Sequence, residues 1–371
     1  MKILGGVFVF LMLLVSVVSC EVSNSNDSPR FEEVVLDTGV TQNIWMKTYG
    51  DINGNGLTDI VVGGRHGGGL VAYLAPNWER YVINENLAVS TDGAVADINN
   101  NGINDIVVVL HRELAWFSGP DWEHHTVDKD FPLHDVEVAD LNNSGLKDLV
   151  ARNQGAFGDG DVLYIYEQEE LGVWNRQEIK IVDGEGLKVR DVNGNGRPDI
   201  VINSYWFENT GDINNWIQHQ FTDTWTWPHA FIDLADLNNN GRKDIVMAPA
   251  ELHDQYYRIS WFEAPEDPTS IWKEHVLVDS IEAVIHFIGA ADINLNGRKD
   301  IMYAHMRQGA FPQEVAVLYQ DRRNRWDTKE VLSNHGSHSM ILYDFNQNGR
   351  IDAVGANHQC DTLKMWINKA R

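Results

Sequence analysis

Two kinds of side chain recur along this chain of 371 residues at spacings that can do chemistry. The first are oxygen donors. Asp51-Ile-Asn53-Gly-Asn55-Gly56-Leu-Thr-Asp59 offers acid or amide oxygens at loop positions one, three, five and nine around a glycine, and the pattern returns from Asp97, Asp140, Asp191, Asp236, Asp292 and Asp344. Hard oxygens at alternate positions about a sharp turn are what calcium requires, as in the first half of an EF-hand loop. The predicted ligands are therefore Asp51, Asn53, Asn55 and Asp59; Asp97, Asn99, Asn101 and Asp105; Asp140, Asn142, Ser144 and Asp148; Asp191, Asn193, Asn195 and Asp199. Three more sets follow: Asp236, Asn238, Asn240 and Asp244; Asp292, Asn294, Asn296 and Asp300; Asp344, Asn346, Asn348 and Asp352. Some of these loops can also be read as metal-free turns, held by Asn and Asp side chains bonding to nearby backbone.

The second kind is imidazole. His134, His229, His286 and His338 each stand six or seven residues before a loop, while His66, His111, His253, His305 and His358 close the apolar runs that follow loops. Together these are nine of the fourteen histidines. Lys47, Arg65, Arg112, Arg152, Arg307, Tyr205 and Tyr303 fall near the same places. Imidazole exchanges protons near neutrality, neutral imidazole ligates transition ions, and a guanidinium grips carboxylate or sulfate with a planar fork. Duplication also propagates a structural histidine, and arginines also serve loop carbonyls and surface acids.

The elements that carry these groups repeat with a period of about 43 to 56 residues. An apolar strand enters each loop and a second leaves it. A third bears aromatics, as in Leu114-Ala-Trp116-Phe117, and a fourth alternates after Trp, as in Trp174-Asn-Arg-Gln-Glu-Ile. Four short strands per repeat make the blade of a β-propeller. The chain stops after the third strand of the seventh repeat, and Phe31-Glu-Glu-Val-Val-Leu-Asp37 supplies a fourth-strand pattern ahead of the first. The prediction is an all-β, seven-bladed propeller over residues 31–371, its ring closed by the N-terminal strand, which hides two sheet edges. The third- and fourth-strand aromatics are expected between blades.

These loops and strands resemble the FG-GAP/VCBS repeat family from Phe31 to Arg371. Trp206-Phe207-Glu208-Asn209 and Trp272-Lys-Glu-His275 are also similar to the propeller part of aldos-2-ulose dehydratase-like proteins. In such propellers the loop joins the innermost strand to the second at one face. The resemblance thus implies that the nine histidines surround the opposite mouth of the central channel.

Formal charge is −25, which excludes nucleic acid and anionic membrane surfaces as general partners. Residues 1–19 have the form of a secretory signal, and Val17-Val18-Ser19-Cys20 looks like a bacterial lipobox. Lipidation of Cys20, a tether over 20–30 and a place in the bacterial cell envelope, at the outer membrane or cell surface, are expected. Ordinary signal cleavage is the alternative. The anchor is then the sole membrane contact, and Cys360 the sole remaining thiol.

The mouth so assembled predicts a carbohydrate-active lyase or dehydratase, acting by β-elimination on a uronate-containing poly- or oligosaccharide. A cation or Arg neutralises the carboxylate; one His or Tyr takes the adjacent carbon-bound proton and another protonates the departing oxygen. His134, His229, His286 and His338 form the acid/base pool, Arg65, Arg112 and Arg307 the carboxylate clamp. Lys47, His66, His111, Arg152, Tyr205, His253, Tyr303, His305 and His358 complete the substrate-binding set. Seven-bladed propeller polysaccharide lyases use similar ingredients. One alternative is a metal-dependent sugar dehydratase with a His-ligated transition metal, its ligands drawn from different blades because no His-x-His or His-x-x-x-His spacing supports a site from one strand. The other is a non-catalytic glycan- or protein-binding surface propeller, as FG-GAP propellers are in integrin-type adhesion.

Overall fold

The computed structural model describes residues 30–40, 43–154 and 160–369; the expected signal segment, Cys20 and all of the tether but Arg30 lie outside the described residues. The described residues form 28 strands, sorted into seven antiparallel sheets of four. This is the expected seven-bladed propeller. Second strands are largely apolar after their opening Asp because neighbouring blades cover both their faces: Asp59–Gly64, Asp105–Leu110 and Asp300–His305 are buried at every residue. Fourth strands such as Val173–Lys180 alternate in burial, since one face meets solvent.

Seven hydrophobic clusters hold the ring, each spanning two adjacent blades. One joins Ile60, Val62, Val71 and Tyr73 of the first blade to Ile341, Val354, Leu363 and Met365 of the last. The tryptophans that precede or open the fourth strands fill these seams, with Trp272 and Trp326 inside and Trp78, Trp122, Trp174 and Trp216 against their edges. Phe31–Thr38 pairs with Thr362–Asn368, Phe31 opposite Asn368 and Thr38 opposite Thr362. That strand completes the last blade, as its pattern predicts, and leaves no unpaired inner edge there.

Strand polarity separates the two candidate chemistries. In the third blade Asp135–Ala139 enters the loop and Asp148–Arg152 leaves it, with Ala139 opposite Asp148 and Asp135 opposite Arg152. His134 therefore stands a full strand length from its own loop. The sixth blade repeats this, with Ile285 opposite His305 and Ala291 opposite Asp300. The first strands of all seven blades line a channel of about 420 Å³.

Candidate functional site

At the loop end, side-chain oxygens bond to backbone amides. Asp51 accepts the amides of Gly54 and Asn55 on Oδ1 at 2.8 and 3.2 Å and that of Gly56 on Oδ2 at 2.7 Å. Asn53 and Asn55 each accept the amide two residues on, at 3.0 and 2.7 Å. The position-six glycines all lie at φ between +79° and +88°, where an L side chain is strained even though no neighbour obstructs it. The seven position-nine carboxylates are fully buried. Asp199 shows their use: Oδ2 accepts the Val192 amide at 2.8 Å and Oδ1 the Asn209 amide at 2.9 Å, tying the loop to the turn after the third strand. Burial lifts these carboxyls, to about 6 at Asp148, Asp199, Asp244, Asp300 and Asp352. For a hard cation, the carboxylate and amide oxygens of positions one, three and five retain lone pairs at the surface. Position nine turns both of its oxygens inward.

At the other end, His134, His229, His286 and His338 come together from four blades, around two carboxylates that the repeat pattern does not mark. His134 Nδ1 lies 2.8 Å from Asp135 Oδ1, and its Nε2 is 3.9 Å from Glu185 Oε1. His229 Nδ1 is 3.9 Å from the other oxygen of Glu185. His286 Nε2 meets Glu251 Oε1 at 2.5 Å. The His338 ring lies 5.0 Å from His286, 5.0 Å from Trp45 and 6.0 Å from His358. Its Nδ1 faces the Ser339 hydroxyl at 3.1 Å.

Backbone geometry places the two glutamates. Gly184-Glu185-Gly186 lies flat on the strip entering the fifth blade, bridged to His229. A Cβ on Gly184 or Gly186 would stand 2.0 Å from the Pro228 or Ala230 carbonyl oxygen, so only glycine permits the approach that carries Glu185 into the mouth. Glu251 sits in the turn after Asp244–Pro249 at φ +72°, a left-handed conformation unusual for this residue type. Strain of that kind concentrates where function demands a particular direction.

Charge in this mouth is unevenly shared. Burial opposes the charged form of His134, but Asp135, Glu185 and Glu251 outweigh it and raise the imidazole. Burial works the same way at His286, where the hydrogen bond it donates to Glu251 prevails. His338 is held well below the ordinary imidazole range by burial and by His286 and Lys47, and His358 falls to about 4 by burial above all. Burial and the neighbouring Glu251 push Glu185 upward.

The remaining predicted residues scatter. Lys47 is buried and donates to the carbonyls of Ile44, Trp45 and Ala356 at 3.2–3.3 Å. Arg65 stacks on Trp45, 3.9 Å from the ring centre. Arg152 is wholly buried, its guanidinium donating to the carbonyls of Gly160, Val182 and Gly186 and to Asn203 Oδ1. Arg112 is exposed and bonds the Asp130 carbonyl; exposed Arg307 reaches the Gln359 carbonyl at 3.4 Å. His66, His111 and His253 are exposed. His305 Nδ1 lies 3.3 Å from the Glu314 carbonyl, Tyr303 donates to the Glu314 carboxylate at 3.1 Å, and Tyr205 packs beside the seam between the third and fourth blades. The mouth thus gathers the preferred acid/base histidines, His358 and Lys47, with carboxylates at its centre and, among the described residues, no converging set of arginines. Glycines flanking Glu185 were the one sequence signal for that residue; Glu251 carried none.

Residues 191–247 match the FG-GAP-like repeat. No curated protein matches the chain. Among solved structures, an Agrocybe aegerita lectin specific for non-reducing terminal N-acetylglucosamine is similar, with TM-score 0.56 and 16% identity over 89% of this chain and 86% of its own. BBS1N in complex with ARL6DN is similar in a mercury-soaked crystal, with TM-score 0.58 and 9% identity over 91% and 95%. The lead-soaked crystal of that complex gives 0.56 and 10% over 91% and 96%. At these identities the likeness is one of fold.

Proposed function

We propose that the protein is a carbohydrate-active lyase or dehydratase that works by β-elimination on a uronate-containing sugar at the histidine mouth. The observation that carries this reading is the convergence of His134, His229, His286 and His338 from separate blades on one buried cluster, with His134 oriented by Asp135 at 2.8 Å. An imidazole fixed by a carboxylate partner is the arrangement of a general acid or base. In the proposed step one imidazole takes the proton from the carbon beside the uronate carboxylate. The electron pair forms the carbon–carbon double bond as the carbon–oxygen bond opposite breaks, and a second imidazole protonates the departing oxygen. His134 and His338 are the proposed pair, one held by a carboxylate and the other among aromatic rings. Arg65 and Arg307 stand at the rim, within reach of an acidic polysaccharide. The proposal keeps the lipid anchor at Cys20, the cell-envelope location and calcium at the exposed oxygens of the loops.

The fold shared with a sugar-recognising lectin favours one second reading, a glycan-binding propeller without catalysis. A panel of uronate polysaccharides and glycosides, followed by the ultraviolet absorbance of the new double bond, separates the two. Product from at least one sugar supports the enzyme. Stable retention on a glycan array with no product from any sugar decides for the binding module.

A further inference from the structure

We infer that the mouth binds a divalent transition-metal ion between Glu185, Glu251 and His286. One ligand atom from each lies within 4.8 Å of the other two. A second observation points to the same ligand. Glu185 is fully buried, yet its Oε1 has no hydrogen-bond partner, while Oε2 accepts the Gln154 side-chain amide at 3.2 Å. A desolvated carboxylate oxygen without a hydrogen bond is costly unless a cation contacts it, and the His134 imidazole that faces Oε1 stands 3.9 Å away, beyond hydrogen-bond reach. Arg152 acts on Glu185 through its charge without bonding Oε1: its two terminal nitrogens donate to four other oxygens, and its Nε is buried without a hydrogen-bond partner.

The donor set names the class of ion. One imidazole and two carboxylates suit zinc, manganese or another first-row dication, and three protein ligands leave a position open for water or substrate. With each ligand at ~2.1 Å, tetrahedral donors stand ~3.4 Å apart. Glu251 and His286, now 2.5 Å apart, need to separate by roughly that difference as the ion replaces their shared proton. Glu251 is the partly exposed member, so the site is open to solvent. In the elimination proposed above, on which this role rests, the ion supplies the positive charge against the substrate carboxylate that no cluster of arginines provides.

The test is calorimetric titration of zinc, and separately manganese, into the full chain in excess calcium, which occupies the hard-oxygen loops. One ion per chain is expected for the wild type, with affinity at least tenfold weaker in both Glu251→Gln and Glu185→Gln. Cobalt loading should give visible d–d bands that Glu251→Gln shifts or abolishes. Glu251→Gln is isosteric, and a melting curve confirms that it folds. No binding in calcium, or binding unchanged in both variants, overturns the site. Stoichiometric zinc together with no elimination product on any uronate removes the enzyme reading and leaves the site in place.

Discussion

The two ends of the propeller are built from the same repeats and differ in what they leave unsatisfied. At the loop end the same bonds recur from copy to copy, with amides two to five residues away and a buried acid tying loop to turn, and side chains such as Gln320 and Asn368 reach the neighbouring blade's loop while keeping one buried oxygen unpartnered. At the histidine end the sevenfold pattern breaks. Histidines from three blades share two glutamates, and Glu185 Oε1, His229 Nδ1 and His358 Nδ1 are buried without hydrogen-bond partners. Repetition of one bonding pattern in every copy is the mark of a structural device. Asymmetry with orphaned polar atoms is where a ligand or reaction has something to gain.

If that contrast is right, substitutions at the two ends should fail in different ways. The largest effect expected is on rate: His134→Ala should lower elimination about 10²- to 10⁴-fold, read as product absorbance at matched folded fraction. At the other end, Asp199→Ala orphans the buried Val192 and Asn209 amides. It should cost roughly 2–5 kcal/mol in denaturant unfolding while the folded fraction keeps its activity. Equal rate losses in both variants would erase the distinction between the two ends.

Smaller effects sharpen it. A chelator should lower the melting temperature by releasing loop cations, and a melting curve indifferent to chelator and calcium would show that the loops hold none. Lys47 gives a pH signature at the mouth. Burial depresses its ammonium to about 7. Above that pH the unfolded chain keeps a proton that the folded chain has shed, so Lys47 makes stability rise from pH 7 toward the unfolded lysine range, at about 10. Melting temperatures of Lys47→Met should lack that rise; parallel pH profiles would contradict the assignment. Least of all, Leu295 occupies loop position four at φ +56°, where five other copies have Gly or Asn and the last has Gln347. Leu295→Asn should stabilise by about 0.5 kcal/mol, measurable as a shift in the urea midpoint.

The fold was readable because its signals are local. Each Asp-x-Asn-x-Asn-Gly turn announces itself by side-chain chemistry, and the strand count alone brings Phe31–Thr38 to the last blade. The register of His134, His286 and His338 could be counted from the same turns. What could not be counted was which charges would be spent on backbone. Arg152 and Lys47 look like substrate contacts in sequence, but folding surrounds them with carbonyls from distant segments. Glu185 and Glu251 were illegible for the converse reason: they sit outside the repeat, in a glycine-bounded strip and a strained turn, and only the tertiary structure brings them beside the histidines.

The central claim is that chemistry resides at the asymmetric mouth and not at the cation loops. Its most direct test is the initial rate of double-bond formation on a uronate polysaccharide, compared at matched folded fraction among wild type, His134→Ala and the loop variant Asn101→Ala. The account predicts product from the wild type, a rate at least a hundredfold lower for His134→Ala, and a wild-type rate for Asn101→Ala. An unchanged rate in His134→Ala, or a loss confined to Asn101→Ala, would contradict it.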